Sequence, residues 1–231
     1  MEPETLRARV AEVRERIEAA RARAGRADPV TLVAVTKTHP AEVVRAAITA
    51  GIADVGENRV QEMDEKVAEV GRDAVRWHLI GHLQRNKAAR AVAIADLVHS
   101  LDSVRLAQAL SGEAVKAGVT VPALVQVNTS GEASKFGLSP DEAIDAIGRM
   151  AELPGLRLEG MMTMAPFTDD RAVIRRTFAG ARELRDRAAQ QVPAFKGRHL
   201  SMGMSNDFEA AVEEGSTLVR VGSTLFGERG R

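Results

Sequence analysis

The sequence predicts one α/β domain, a (β/α)8 TIM barrel with an extra helix at its N-terminal end. Short β-rich runs alternate with helical stretches along the whole chain, the pattern of parallel strands joined by crossover helices. Eight such runs can be traced, which favours a closed barrel over the alternative of an open, doubly wound sheet. No linker and no long low-complexity segment divides residues 1–231, so the chain reads as a single domain.

Residues 4–24 form the extra helix. Leu6, Val10, Val13 and Ile17 recur at helical spacing with charge on the other face, and Gly25 follows as a C-cap glycine would. The eight strands are read at 30–36, 53–55, 76–80, 97–99, 123–127, 157–161, 198–202 and 218–221. Thr38-His39-Pro40 leads into a helix over 41–50, and Asp102-Ser103 into one over 104–116. Ser139-Pro140 opens a helix over 141–151, with Pro140 at the favoured first position and Glu142 three residues after the cap. Thr168 or Asp169 starts a helix that runs to about Gln190. After the eighth strand only residues 223–231 remain, so the last outer helix is missing and the N-terminal helix is expected to cover its place.

Composition narrows the function classes. Hydrophobic residues make up 45% and charged residues 28%, as in an ordinary soluble domain. The 32 basic and 32 acidic side chains cancel, so no electrostatic argument points to nucleic acid or an anionic membrane as partner. There is no cysteine, which excludes disulfides, thiolate metal sites and a cysteine nucleophile. The Arg-rich N-terminus lacks an apolar core and carries five glutamates before Gly25, unlike secretory or transit segments. No apolar run approaches the ~18 residues of a membrane span. The chain is expected to be cytoplasmic.

In such barrels the chemistry sits just beyond the C-terminal ends of the strands. Lys37 closes the first run, LVAVTK. It is either a solvated strand-end lysine or an amine whose apolar setting lowers its pKa for attack on an aldehyde. Asn58 follows the second strand and suits a helix cap, a phenolic oxygen, or both. His78 and His82 lie four apart, but on a strand and turn with no nearby carboxylate in sequence, so no metal is expected. Lys135, in the long loop after the fifth strand, reads as a solvated lysine.

The seventh strand enters the small-residue turn Ser201-Met202-Gly203-Met204-Ser205, with a helix expected to open near Ser205. The eighth ends in Arg220-Val221-Gly222-Ser223. Backbone N–H groups in such turns suit phosphate, and barrel phosphate sites commonly follow strands 7 and 8. A Schiff-base lysine opposite a phosphate cradle matches the size of pyridoxal 5′-phosphate (PLP), with Arg220 near its ring nitrogen. A Schiff-base aldolase acting on a sugar phosphate is another reading of the same residues.

Seven ordered stretches resemble the YggS/PROSC family of PLP homeostasis proteins: LVAVTKTHP, VGENRVQE, WHLIGHLQRNK, NTSGEASKFGL, EGMMTMAP, HLSMGMSNDF and VRVGSTLFGER. That resemblance implies the alanine racemase N-terminal barrel without the racemase's second domain. It implies PLP on Lys37, Asn58 beside the ring, and Arg220 facing the ring nitrogen. Ser201, Gly203, Ser205, Gly222 and Ser223 would then belong to the phosphate-binding stretches. Thr36 stands where serine is frequent in the family.

An arginine at the ring nitrogen opposes a proton there, because two positive charges would meet, and so weakens the cofactor as an electron sink. The chain also has no tyrosine, the residue that alanine racemase uses as its second base. The expectation is a non-catalytic, monomeric PLP carrier that stores, buffers or delivers PLP, with PLP-dependent apoenzymes as recipients. A PLP-dependent amino-acid racemase is the alternative.

Overall fold

The computed structural model describes residues 3–132 and 136–227. Eight parallel strands close into a barrel in chain order. They are β1 (Thr31–Val35), β2 (Asp54–Glu57), β3 (Arg76–Leu79), β4 (Leu97–Leu101), β5 (Val121–Gln126), β6 (Leu156–Met162), β7 (His199–Met204) and β8 (Leu218–Val221). The helices are α1 (Pro3–Arg23), α2 (Ala41–Thr49), α3 (Val60–Val70), α4 (Ala88–Ile94), α5 (Val104–Ala117), α6 (Pro140–Ala151), α7 (Arg171–Gln191), α8 (Phe208–Glu213) and α9 (Ser223–Phe226). The open-sheet alternative is excluded by the pairing of β1 with β8, which sets Val33 opposite Arg220.

Strand alternation separates two apolar regions. Val33, Leu97, Leu124, Met162 and Leu218 pack together inside the barrel. Their chain neighbours Ala34, Val98, Val125, Met161 and Val219 belong to a larger core shared with helix residues such as Val44, Met63, Leu110, Ile147 and Phe178. The inward parity continues to the strand ends. It carries Val35, Gln126, Met162 and Arg220 to the lining of one cavity.

The expected extra helix is present and seals the ring. Leu6, Val10, Val13, Ile17 and Ala20 of α1 are buried, and α1 packs against α8, α9 and α2. Arg9 Nη1 donates to the Leu225 carbonyl of α9 at 3.0 Å. After β8 the described residues form the single turn of α9, with α1 beside it.

Helix starts differ in two places. The helix expected from Thr168 or Asp169 is capped by Asp170, whose carboxylate accepts from Ala172 N and Val173 N, while Thr168 Oγ1 accepts from Asp170 N one step earlier. The helix expected near Ser205 begins at Phe208. Asp207 folds the intervening residues into a turn: its N–H donates to the Met204 carbonyl and its carboxylate accepts from Met204 N. At the start of α6, Ser139 Oγ bonds the Glu142 side chain at 2.8 Å rather than a backbone N–H. No described helix is long and apolar enough to cross a membrane.

Candidate functional site

A cavity of about 1100 Å³ opens at the C-terminal ends of the strands, just above the ~300–1,000 Å³ usual for small-molecule clefts. Lys37, Asn58, Ser205, Arg220, Gly222 and Ser223 all line it. Six of the eight expected site residues therefore converge, from four strand ends. Ser201 and Gly203 do not line it. Ser201 is fully buried and holds Arg220 from behind. Gly203 has φ +92, and a Cβ there would meet Ala211 Cβ at 2.5 Å, so it lets β7 pass close under α8.

Lys37 is half-buried in a turn whose next residue, Thr38, has a positive φ of 66°. That turn is gripped from α3. Lys66 Nζ donates to the Thr36 carbonyl at 2.8 Å and to Glu57 Oε1 at 2.7 Å. Thr36 Oγ1 also donates to Glu57 Oε1, and Thr38 N donates to Glu62. Burial pushes the Glu57 carboxyl up, with the hydrogen bonds from Lys66 and Thr36 pulling the other way. Its second oxygen, Oε2, is buried with no hydrogen-bond partner among the described residues.

Arg220 forms part of the cavity floor, being buried yet present in the lining. Its Nη1 donates to Ser201 Oγ at 2.6 Å and to the Ser201 carbonyl at 2.8 Å. Its Nη2 donates to the Thr163 carbonyl at 3.1 Å. Burial lowers the guanidinium pKa to about 10, with Asp207 acting the other way, so it is a cation at neutral pH.

At the β7 and β8 ends, Gly222 N and Thr224 N both donate to Ser205 Oγ, at 3.3 and 3.4 Å. Two amides and a hydroxyl thus meet at one point beside Ser223. The turn needs glycine at 222 for closeness rather than for φ: a Cβ would lie 3.3 Å from the Val35 carbonyl oxygen. Asn58 is pressed from behind by Gly81, where a Cβ would stand 2.3 Å from the Asn58 carbonyl oxygen.

The sequence reading missed part of the lining, Gln126, Met162, Met164 and Phe136, while His82, singled out beside His78, does line it. Inward parity was the available signal, since Gln126 follows Leu124 by two and Met162 is itself an inward strand residue. His82 stacks on Phe136 with ring centroids 4.5 Å apart and contacts Asp102 at 3.1 Å, so it ties rim loops together. Lys135 lies outside the described residues. Among the described residues no group of three or more His, Asp or Glu could hold a metal ion.

The donor set fits PLP on the geometry alone. Lys37 would offer a primary amine for the aldehyde, the turn at Ser205, Gly222 and Ser223 N–H and O–H groups for the phosphate, and Arg220 a fixed cation for the ring.

Known proteins agree with this architecture. Residues 9–230 match the family model for the alanine racemase N-terminal domain. A pyridoxal phosphate homeostasis protein of Aquifex aeolicus is 40% identical over 222 residues, covering 96% of this chain and 97% of the relative. The structure of PipY from Synechococcus elongatus with PLP bound is 36% identical, with a TM-score of 0.84, covering 96% of this chain and 100% of that one. An alanine racemase from Clostridium difficile shares the fold at 16% identity and a TM-score of 0.79, and this chain covers 57% of its length. The chain belongs to the alanine racemase N-terminal domain family, where its full-length relatives are named pyridoxal phosphate homeostasis proteins.

Proposed function

We propose that this chain binds PLP covalently through Lys37 and serves PLP homeostasis by storing, buffering or delivering the cofactor. One observation carries the reading: Lys37, buried cationic Arg220 and the turn residues Ser205, Gly222 and Ser223 share one cavity. When bound, PLP supplies a carbonyl that condenses with amines and a ring that withdraws electrons. Lys37 Nζ takes that carbonyl. The turn of Ser205, Gly222, Ser223 and Thr224 binds the phosphate through N–H and O–H donors. Asn58 orients the ring edge, and the apolar wall of Val35, Ile80 and Met162 keeps water from the ring.

Arg220 supports a carrier over a catalyst. Held by three hydrogen bonds, it would present N–H donors and positive charge to the ring nitrogen of bound PLP and so disfavour a proton there. A ring held this way would withdraw electrons weakly. Racemisation also needs acid–base groups on both faces of the substrate carbon, and the chain has no tyrosine to act as one. We read it as a non-catalytic, cytoplasmic monomer that passes PLP to apoenzymes.

The test is borohydride reduction of protein loaded with PLP, followed by peptide mass spectrometry. The expected adduct is on the Lys37 peptide. An adduct only on other lysines, or none, would remove the central claim. Brisk conversion of L- to D-alanine that disappears in Lys37→Ala would replace the carrier with a racemase.

A further inference from the structure

A file of hydrogen bonds crosses the barrel interior and ends on Arg220. Asp54 Oδ1 on β2 lies 2.9 Å from His78 Nε2 on β3. His78 Nδ1 lies 2.9 Å from His99 Nε2 on β4. His99 Nδ1 lies 2.8 Å from Ser201 Oγ on β7, and Ser201 Oγ accepts from Arg220 Nη1 on β8 at 2.6 Å. All five side chains are buried. At the far end, Arg76 grips Asp54 with two bonds of 2.6 Å.

With one proton on each ring, Asp54 as the accepting end gives one consistent set of hydrogens along the file. Arginine only donates, so Ser201 Oγ accepts from it; with one proton on each ring and Asp54 accepting at the other end, the serine hydrogen turns to His99 Nδ1. His99 then carries its proton on Nε2 and donates to His78 Nδ1. His78 in turn carries its proton on Nε2 and donates to Asp54. Asp54 must accept, and it is ionised: burial alone would raise its pKa, but hydrogen bonds from His78 and Arg76 bring it down to about 2. Burial, with His78 and Arg220 nearby, pushes His99 well below the usual imidazole range, so it is neutral. The links all point one way, each offering a lone pair toward Arg220 and a proton toward Asp54.

We infer that His78, His99 and Ser201 are positioning residues that tie Arg220 to the carboxylate of Asp54 and so fix the guanidinium at the cavity floor. This rests on the reading above that Arg220 faces the bound ring. The file sets where the positive charge stands relative to the ring nitrogen. Packing alone does not require it, because an apolar interior like the neighbouring Val33, Leu97 and Leu124 cluster would fill the same space. It also carries no proton through to the ring, since arginine at its end does not release one at neutral pH.

Two experiments on the full-length chain test it. The first uses ¹⁵N-labelled histidine without any ligand. His78 and His99 are expected as neutral Nε2–H tautomers at neutral pH; an Nδ1–H tautomer or an imidazolium at either position overturns the file. The second compares PLP bound to wild type, His99→Leu, His99→Gln and Ser201→Ala. Leucine breaks the file, whereas glutamine keeps one donor and one acceptor. The leucine and alanine variants are expected to load Lys37 with a shifted absorption band and about tenfold weaker binding. Glutamine keeps the wild-type band. An unmoved band in His99→Leu that is folded and loaded overturns the inference. Should that variant not fold, Ser201→Ala, which loses only a hydroxyl, decides by the same band. Failure of wild type to take up PLP would sink the proposed function, and the histidine tautomers would then decide the file alone.

Discussion

Lys66 donates to the carbonyl of Thr36 at 2.8 Å, one residue before Lys37. Its neighbour on α3, Glu62, accepts from the amide of Thr38, one residue after. The backbone on both sides of Lys37 is therefore held by one helix, through a buried ion pair of Lys66 with Glu57. Removing one partner of such a pair strands the other charge and costs about 3–5 kcal/mol. Lys66→Met is expected to lose that much stability by urea unfolding and to load PLP poorly. The double variant Lys66→Met/Glu57→Leu should recover most of the stability. A loss under about 1 kcal/mol in the single variant would show that the pair is not acting as a buried one.

Gly81 gives a second, sharper probe. A methyl there must displace the Asn58 backbone, whose carbonyl oxygen and Cα would lie 2.3 and 2.7 Å away. Gly81→Ala should weaken PLP binding about tenfold, with a stability loss of about 1–3 kcal/mol from overpacking. Gly112→Ala is the control. It lies within α5 and its added Cβ would meet nothing within 4 Å, so it should stabilise by roughly 0.5–1 kcal/mol and leave binding unchanged. Equal affinity for PLP in the two variants would argue that Asn58 is not at the ring.

Stability should fall as pH drops below 6.5, and His99 is one cause. Burial, with His78 and Arg220 nearby, keeps its folded pKa well below the usual imidazole value of about 6.5. Below pH 6.5 the unfolded chain takes a proton that the folded chain refuses. The stabilisation from neutral His99 is thus fully present above 6.5 and is lost at about 1.4 kcal/mol per pH unit on the way down. His199, also lowered by burial, acts in the same direction. Glu57, raised by burial, acts in the opposite one, its stabilisation being lost as pH rises above 4.5. Both effects are shared by wild type and His99→Gln, so the difference between their unfolding curves isolates His99. The variant should show the shallower decline between pH 6.5 and 5. Parallel curves would contradict the placement of a neutral, sealed imidazole there.

Arg220→Glu exchanges a fixed cation for a carboxylate at the cavity floor. A protonated ring nitrogen then becomes favourable and the bound cofactor withdraws electrons more strongly. The absorption band should move, and slow side reactions with added L-alanine should emerge where wild type shows none. The variant also gives up the bonds to Ser201 and Thr163, at a cost of about 2–4 kcal/mol. An unchanged spectrum would place Arg220 away from the ring.

The barrel was legible because its strands alternate. Every run read from periodicity became a strand, and errors gathered where polarity interrupts the pattern. The second run was read as ending at Val55, yet β2 continues to Glu57 because Lys66 neutralises that carboxylate across the barrel wall. The fourth was read as ending at His99, yet β4 continues to Leu101, since His99 points into a polar interior rather than out of the sheet. Buried charge pairs leave no apolar signature in a sequence. For the site, Lys37 and Arg220 could be placed from their positions at strand ends. Ser201 could not be separated from Ser205, because the turn in β7 at Gly203 breaks the alternation between them. The pairing of His99 with Ser201 joins β4 to β7 across the barrel, 102 residues apart, and no local pattern encodes such a partner.

The seat of α1 bears on the order in which the chain is made. The α1 segment that carries Leu6, Val10, Val13 and Ile17 leaves the ribosome well before α8 and α9, against which α1 packs. The same holds for β1, whose partner β8 starts only at Leu218. A nascent chain stopped short of that residue has both an open sheet edge and an unseated amphipathic helix, the two features most apt to recruit chaperones or other chains. The barrel therefore cannot close piecemeal during translation. Its first helix must wait, exposed, for the final turn of the last.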